Sequence, residues 1–490
     1  MVKEIGMVFS YVKKLAAMVA VCGAMVASDA LAADVTDVLD AADEVYLGSE
    51  KVSDPFDISL TPKFVQRLES AKLKREINEY GNVRLLNELV YDRTINEFDL
   101  DLEIGLFHDL AFRMHMPIII SDQESYKFDT TSDDLQYHIS PQNSTLSPSQ
   151  INREQNRPYR FFDLQSGQKL KGHKRHGIGD MSFGIAWSPY NTERHFIPER
   201  PWIGNTGRST ITLAFDYFAP TGSVRGIDNN GVGKGVHEFL FTVAASHRFS
   251  FIDPYIRLQY GLPVGKDDVY RDFGANQKRI DPGMWGRIDL GIEFIPYESI
   301  DVKFQRNVKI DLRGYFKYVG EGRAYSEISD ALGSSSCHSI STSDLAARPE
   351  CGWVAEKWSN AGSSNIDAIA NGIFQGQLKE DGLFDYEGFA TIGGTLSLSV
   401  MPVQYVQIMA GFSADYAQNH YVTFTKIGRD RIAIDQNGQK VMNTKDGVVT
   451  DTLIEERSPT FSGALDRVGQ RIKRTESYNL EWFVGLKLMY

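Results

Sequence analysis

The residue types best suited to covalent chemistry are His138, Ser140 and Asn152. A histidine that takes the proton of a serine, itself oriented by an asparagine, makes a nucleophile for acyl transfer. Such a group has to be fixed on adjacent rigid strands. These three lie in Asp133 to Arg157, a run rich in Ser, Pro, Gln and Asn with no alternation, so a chance match in a loop is expected and no catalytic residue is assigned. His173 and His176 could share a metal ion, but Lys171, Lys174 and Arg175 surround them and oppose a cation. Asp228-Asn229-Asn230-Gly231 starts like a calcium loop and then lacks the late carboxylate, with Val236 and His237 in its place. Gly231-Val232-Gly233-Lys234 breaks the phosphate-loop spacing, and Gly177-Ile178-Gly179 has no third glycine for a dinucleotide turn. No metal, no cofactor and no enzymatic activity are expected.

The remaining chemistry lies in charged residues at every second position, the spacing that puts side chains on one face of a strand. Phe98, Leu100, Leu102, Ile104 and Leu106 alternate with Asp99, Asp101 and Glu103. After a tight turn at Phe107-His108-Asp109, Leu110, Phe112, Met114, Met116 and Ile118 alternate with Arg113 and His115. Acid and base then face each other across the hairpin. Ile288, Leu290, Ile292 and Phe294 alternate with Arg287, Asp289 and Glu293; Val308, Ile310, Leu312, Phe316 and Tyr318 alternate with Lys309, Asp311, Arg313, Tyr315 and Lys317. Val406, Ile408, Ala410, Phe412, Ala414 and Tyr416 alternate with Gln407, Gly411, Ser413 and Asp415. At the end of the chain Tyr478, Leu480, Trp482, Val484, Leu486, Leu488 and Tyr490 share a face opposite Asn479, Glu481, Gly485 and Lys487, with Phe483 and Met489 as apolar exceptions. Lipid outside and water inside would select this pattern. The polar faces supply the lumen candidates: Asp99, Asp101, Glu103, Arg113, His115, Asp180, Asp216, Arg257, Arg287, Asp289, Glu293, Lys309, Asp311, Arg313, Lys317, Asp415, Glu481 and Lys487.

These segments imply an all-β fold, a closed antiparallel transmembrane barrel of about twelve strands. The expected strands are 57–76, 84–106, 110–121, 177–188, 208–218, 237–249, 254–264, 283–295, 300–318, 385–400, 404–416 and 477–490. Short periplasmic turns should fall near 107–109, 250–253, 296–299 and 401–403, and long outer loops at 122–176, 319–384 and 417–476. The long 189–207 and the short 77–83 are the exceptions. Residues 33–56 read as an acidic periplasmic tail.

The first residues fit export. Lys3, Lys13 and Lys14 precede the apolar run Leu15 to Ala27, and Ala30-Leu31-Ala32 offers a cleavage site after Ala32, so 1–32 is expected to be a signal peptide. Nowhere else does the sequence offer the long apolar run that a helical span needs. The full chain carries −12; the signal segment holds three Lys against Glu4 and Asp29, a net +1, which leaves −13 and argues against nucleic-acid binding. Once Cys22 leaves with the signal, Cys337 and Cys351 remain in a Ser-, Gly- and Ala-rich stretch. One disulfide is expected there, worth about 3 kcal/mol by chain entropy, with two free thiols as the alternative.

The C-terminal alternation ending on Tyr490 resembles the outer-membrane barrel class, in which such a strand is the signal to the barrel-assembly machinery. His138, Ser140 and Asn152 resemble the catalytic group of outer-membrane phospholipase. Gly177 to Gly184, Tyr217 to Gly222 and Tyr260 to Gly265 resemble the phenol-degradation-pathway family of outer-membrane barrels. That resemblance implies passage of small, hydrophobic or aromatic molecules and carries over no binding residue. The expected function is a small-molecule channel or transporter in the outer membrane, with lipid and the assembly machinery as partners. The alternatives are a surface-interaction barrel with a plugged lumen and a phospholipase-like enzyme.

Overall fold

A computed structural model describes the chain chiefly over 57–79, 81–107, 109–129, 174–192, 209–226, 230–266, 281–301, 304–326, 383–403, 405–425 and 468–489, with short pieces elsewhere. Residues 1–32, His138, Ser140, Asn152, His173, Cys337, Cys351 and Tyr490 lie outside the described residues.

Twelve long strands follow one another: β1 (Ile58–Glu79), β2 (Asn82–Phe107), β3 (Leu110–Phe128), β4 (Ser182–Asn191), β5 (Ser209–Phe218), β6 (Val236–His247), β7 (Ile252–Gly265), β8 (Trp285–Asp301), β9 (Phe304–Val319), β10 (Phe389–Val403), β11 (Val406–Ala417) and β12 (Ile472–Met489). Each pairs antiparallel with the next. The last closes on the first, with Trp482 opposite Phe412 on β11 and Gln66 on β1. The sheet is therefore a closed barrel of twelve strands, and closure satisfies the backbone groups that an edge would leave bare.

Side-chain chemistry explains the closure. On β8, Ile288, Leu290 and Ile292 are 46%, 60% and 41% exposed, while Asp289 and Glu293 between and beside them are at most 1% exposed. The same inversion, apolar out and charged in, holds on β12, where Trp482 and Val484 are exposed. Large apolar side chains are exposed on β1 to β12 alike, for example Leu60, Trp187, Leu213, Phe241, Leu258, Phe316, Leu396 and Phe412. Two interior aromatics lie over glycines of the neighbouring strand. A Cβ on Gly411 would come 2.5 Å from the Phe483 ring, and one on Gly291 would come 2.2 Å from the Tyr255 ring. That settles why Phe483 breaks the polar pattern of its face: it fills the space its neighbour leaves.

The expected strands are all present with moved ends. β3 runs to Phe128 rather than 121, so 122–128 belong to the wall and not to the outer loop. β12 starts at Ile472 rather than 477. The fourth expected strand splits: Arg175–Ile178 pairs separately with β3, and β4 starts at Ser182. The turn expected at 296–299 is strand, since Tyr297 still faces Val308 and the ladder runs to Asp301 opposite Phe304. Likewise 401–403 still belong to β10. A β-bulge precedes each of these last two extensions, between Phe294 and Tyr297 and between Val400 and Val403. A bulge shifts the two-residue period, so alternation stops while the strand continues.

Parts of the expected loops also form strands. Gly322–Tyr325 pairs with Leu383–Tyr386, His420–Tyr421 with β12, and Gly428–Ile432 with Leu453–Arg457. Asp43–Leu47 and Glu50–Asp54 form a hairpin within the expected tail. β1 to β3 hold 22, 26 and 19 residues against 10 each for β4 and β5, so the wall stands taller on the side of the first and last strands.

Candidate functional site

Backbone alternation turns the polar faces inward, and register then decides which charges meet. Near the termini Lys63 on β1 sits 3.1 Å from Asp99 and 4.0 Å from Asp101, and Asp101 holds the His115 ring at 2.6 Å. Arg67 bridges Glu97 at 2.6 Å and Glu481 at 2.7 Å. Glu103 stands opposite Arg113 in register, while the Arg113 guanidinium donates to both oxygens of Asp216, two strands away, at 3.0 and 3.1 Å. Gly184 makes that reach possible, because a Cβ there would lie 2.1 Å from Asp216 Oδ1.

The other half of the wall is built alike. Arg257 and Arg287 share the buried Asp289 at 3.0 and 2.7 Å, and Arg287 also stacks 3.9 Å over the Tyr315 ring. Lys309 lies 3.7 Å from Glu293, and Tyr255 donates its hydroxyl to Asp311 at 2.7 Å. Asp415 accepts from Tyr315 at 2.7 Å and from Asn479 at 2.8 Å. Lys317 covers the Trp285 ring, Arg313 stands opposite Gly291 and Thr395, and Lys487 opposite Gln407. Asp180 is different. It lies between the two short strand pieces and accepts the backbone N–H groups of Gly222 and Lys234 at 3.0 and 2.7 Å, tying down the β5–β6 loop.

Sequence reasoning missed a second charged layer toward the end of the barrel away from Ile58 and Met489. Ile120 is a bulge: Asn96 pairs with Ser121 but Glu97 with Ile119. Below it the even residues of β3 face out; above it Asp122, Glu124 and Tyr126 face in and are buried. Arg93 donates to both oxygens of Asp122 at 2.8 Å. Arg225, from the β5–β6 loop, reaches Asp122 at 2.7 Å and also binds Glu124, and it stacks 4.7 Å over Tyr325 of the β9–β10 loop. Arg175, fully buried, donates to the Tyr325 hydroxyl and the Gly226 carbonyl. Leu73, Leu89, Tyr91, Tyr126 and Phe128 of the wall pack with Ile328 and Val422 from two loops. Loop residues thus pack over the lumen at the end of the barrel away from Ile58 and Met489.

Arg225 is the latch of this cover. Arg225→Ala is expected to cost about 2–3 kcal/mol, below the range for a charge left wholly unpaired because Arg93 still serves Asp122. Limited proteolysis of the folded barrel checks it: the variant's β5–β6 loop should be cut faster than the parent's.

At the other mouth the chain itself enters the barrel. Thr36 and Val38, in the segment expected to be a periplasmic tail, lie inside the barrel. Val38 packs against Ala111, Ala186 and Ala214. The Thr36 carbonyl accepts the Thr212 hydroxyl at 2.7 Å and the Ser188 hydroxyl at 3.5 Å, and its own hydroxyl meets Ser246 at 2.8 Å. Residues this close to the N-terminus carry no period-two signal. What the sequence did contain was the run of small inward residues that receives them.

Among the described residues no group of three His, Cys, Asp or Glu is arranged to hold a metal ion. No family model matches this chain. No curated protein matches it in sequence. Among solved structures, the COG4313 outer membrane channel from Pseudomonas putida F1 aligns over 92% of this chain and 100% of its own, at 10% identity and a TM-score of 0.37. A Pseudomonas aeruginosa FadL homologue aligns over 89% and 90%, at 9% identity and 0.27. The outer membrane protease OmpT from Escherichia coli aligns over 89% and 97%, at 7% identity and 0.27. These scores are low, and the fold stands on the strand pairing itself.

Proposed function

We propose that the protein is an outer-membrane barrel that passes small molecules through its polar lumen. The observation that carries this reading is the inversion of an ordinary protein surface. An apolar belt, interrupted on β1 to β3 by the hydrogen-bonded Gln66, Asn96 and Ser121, faces out around a closed sheet, while paired charges line the inside. A belt of this extent is far larger than a soluble monomer exposes and matches what a bilayer wets. The short turns after β2, β6, β8 and β10 share one side with the start of β1 and the end of β12, together with the long β4–β5 connection, while the tight β1–β2 turn lies at the opposite end. That shared side becomes the periplasmic one if residues 1–32 direct export. The last strand then serves as the signal to the assembly machinery, with lipid as the belt's partner. The wall's ion pairs neutralise one another, which suits a path for polar or uncharged solutes more than a strongly selective ion filter.

Leu290→Arg puts a cation in the middle of the belt. It should lower the unfolding free energy of the vesicle-inserted barrel by about 2–4 kcal/mol. Denaturant titration of the refolded protein in vesicles measures this, and a change within about 0.5 kcal/mol, as at an ordinary surface, would contradict lipid contact.

The second reading is a surface-interaction barrel whose lumen stays plugged, and the cover around Ile328 and Val422 favours it. Single-channel recording separates the two. The transport reading expects conductance steps after insertion into a planar bilayer. A barrel that inserts and never conducts, even without its inner segment, supports the plugged alternative.

A further inference from the structure

Above the apolar belt the tall side of the wall changes character. On the outward face of β12 and β1 the last rungs of the belt are Leu480 beside Leu68 and Tyr478 beside Ser70. Both leucines and the tyrosine are exposed. Two residues further along β1, about 7 Å of strand, the face turns cationic. Lys72 lies opposite Thr475 on one side and Val90 on the other, and Val90 lies opposite Lys127. One rung higher Lys74 and Lys473 stand directly opposite each other. Their neighbours in sequence, Leu73 and Arg474, point into the barrel, Leu73 into the buried cluster and Arg474 to Glu69. The lysines therefore point outward.

Like charges placed directly across a ladder destabilise it. Glu476 offsets part of this, at 2.9 Å from Lys72 and 3.6 Å from Lys74, and Lys473 rests 4.9 Å from the Tyr421 ring. Asp92 hydrogen-bonds Ser70 one rung below. Four lysines (72, 74, 127 and 473) against Asp92, Glu476 and Asp129, whose charge also acts on Lys72, leave the patch at +1, on a chain whose total is −12.

We propose that this patch binds the phosphate groups of an anionic lipid in the outer leaflet. The inference rests on the membrane reading above. Charge complementarity names phosphate. Continuity with the belt names a lipid as its carrier, because acyl chains lying on Leu68, Leu480 and Trp482 would bring a headgroup to the level of Lys72 and Lys74.

The test uses the refolded full chain in phosphatidylcholine nanodiscs with and without diphosphoryl lipid A, reading bound lipid by native mass spectrometry. Each lysine near an anionic surface contributes roughly fivefold in affinity, so Lys74→Gln with Lys473→Gln should weaken lipid A retention about 25-fold. The equal charge change Lys234→Gln with Lys266→Gln, on the β6–β7 side, should leave it unchanged. Retention that is the same in both variants overturns the proposal, as does full displacement of lipid A by millimolar inorganic phosphate, which would mark a plain anion site. A barrel that never enters the discs overturns the membrane reading as well, whereas one that enters and binds lipid A indifferently overturns this inference alone.

Discussion

Deletion of residues 33–39 is expected to raise the single-channel conductance of the barrel several-fold and to abolish its low-conductance state. Val38 and Thr36 occupy a mouth whose wall is unusually small there, with Ala111, Ala186 and Ala214 against the valine and Ser188, Thr212 and Ser246 against the threonine. Small wall residues leave a wide opening once the segment is gone. Magnitudes indicate that it also leaves by itself. Three hydrogen bonds contribute about 1 kcal/mol each, and a buried valine about 2. Ordering four residues costs about 1 kcal/mol or slightly more apiece. The two totals, about 5 and about 4–6, nearly cancel, so seated and released states should both be populated. The full chain should therefore flicker between two levels in a planar bilayer, and the deletion should hold the upper one. Identical traces for the two proteins would show that the segment obstructs nothing.

Neutralising Asp289 is expected to have the largest effect of any single lumen substitution. Its carboxylate has no exposure and takes three hydrogen bonds, from Arg257 Nε at 3.0 Å and from two nitrogens of Arg287 at 2.9 and 2.7 Å. Asp289→Asn keeps the shape and one acceptor but leaves two guanidiniums facing one another without a counter-charge. Breaking a buried pair from one side costs about 3–5 kcal/mol. Both arginines keep some contact with water, so the lower end of that range is expected. Arg287→Gln added to the same protein should recover part of the loss, because a single guanidinium remains and its repulsion partner is gone. Conductance should report the same change, with reversal potentials in a salt gradient moving toward anion preference in D289N and the shift shrinking as salt rises. Unaltered stability with unaltered reversal potential would mean that Asp289 carries no share of the wall's charge balance.

How far the sequence revealed this molecule depends on where a strand's two faces meet different media. Tyr478 to Leu488 alternate because the apolar residues face out of the barrel and most of the others face in, so the last strand was legible without any partner. Lys63 and Arg67 were legible in principle too, since they alternate with Pro62, Phe64, Gln66 and Leu68, but no acid lies beside them in sequence. Their partners Asp99, Glu97 and Glu481 come from two other strands, and only register brings them together. Asp122 and Glu124 were hidden for another reason. The extra residue at Ile120 swaps the faces of β3, so residues of the same parity as the outward Met116 and Ile118 end up in the lumen. Thr36 and Val38 had no pattern to read, because a segment held by three hydroxyls and three alanines needs no periodicity of its own.

In the membrane reading, lipid touches one face of each strand and a polar interior touches the other. Spin labels placed singly at each position from Arg287 to Glu293 in the vesicle-inserted barrel test this directly, with collision rates measured against oxygen, which partitions into lipid, and against a water-soluble nickel chelate. Oxygen access should peak at 288, 290 and 292 and fall at 287, 289, 291 and 293, with the chelate never peaking on the even set. Labels at 288, 290 and 292 that meet neither reagent, or a trace without a two-residue period, would contradict it.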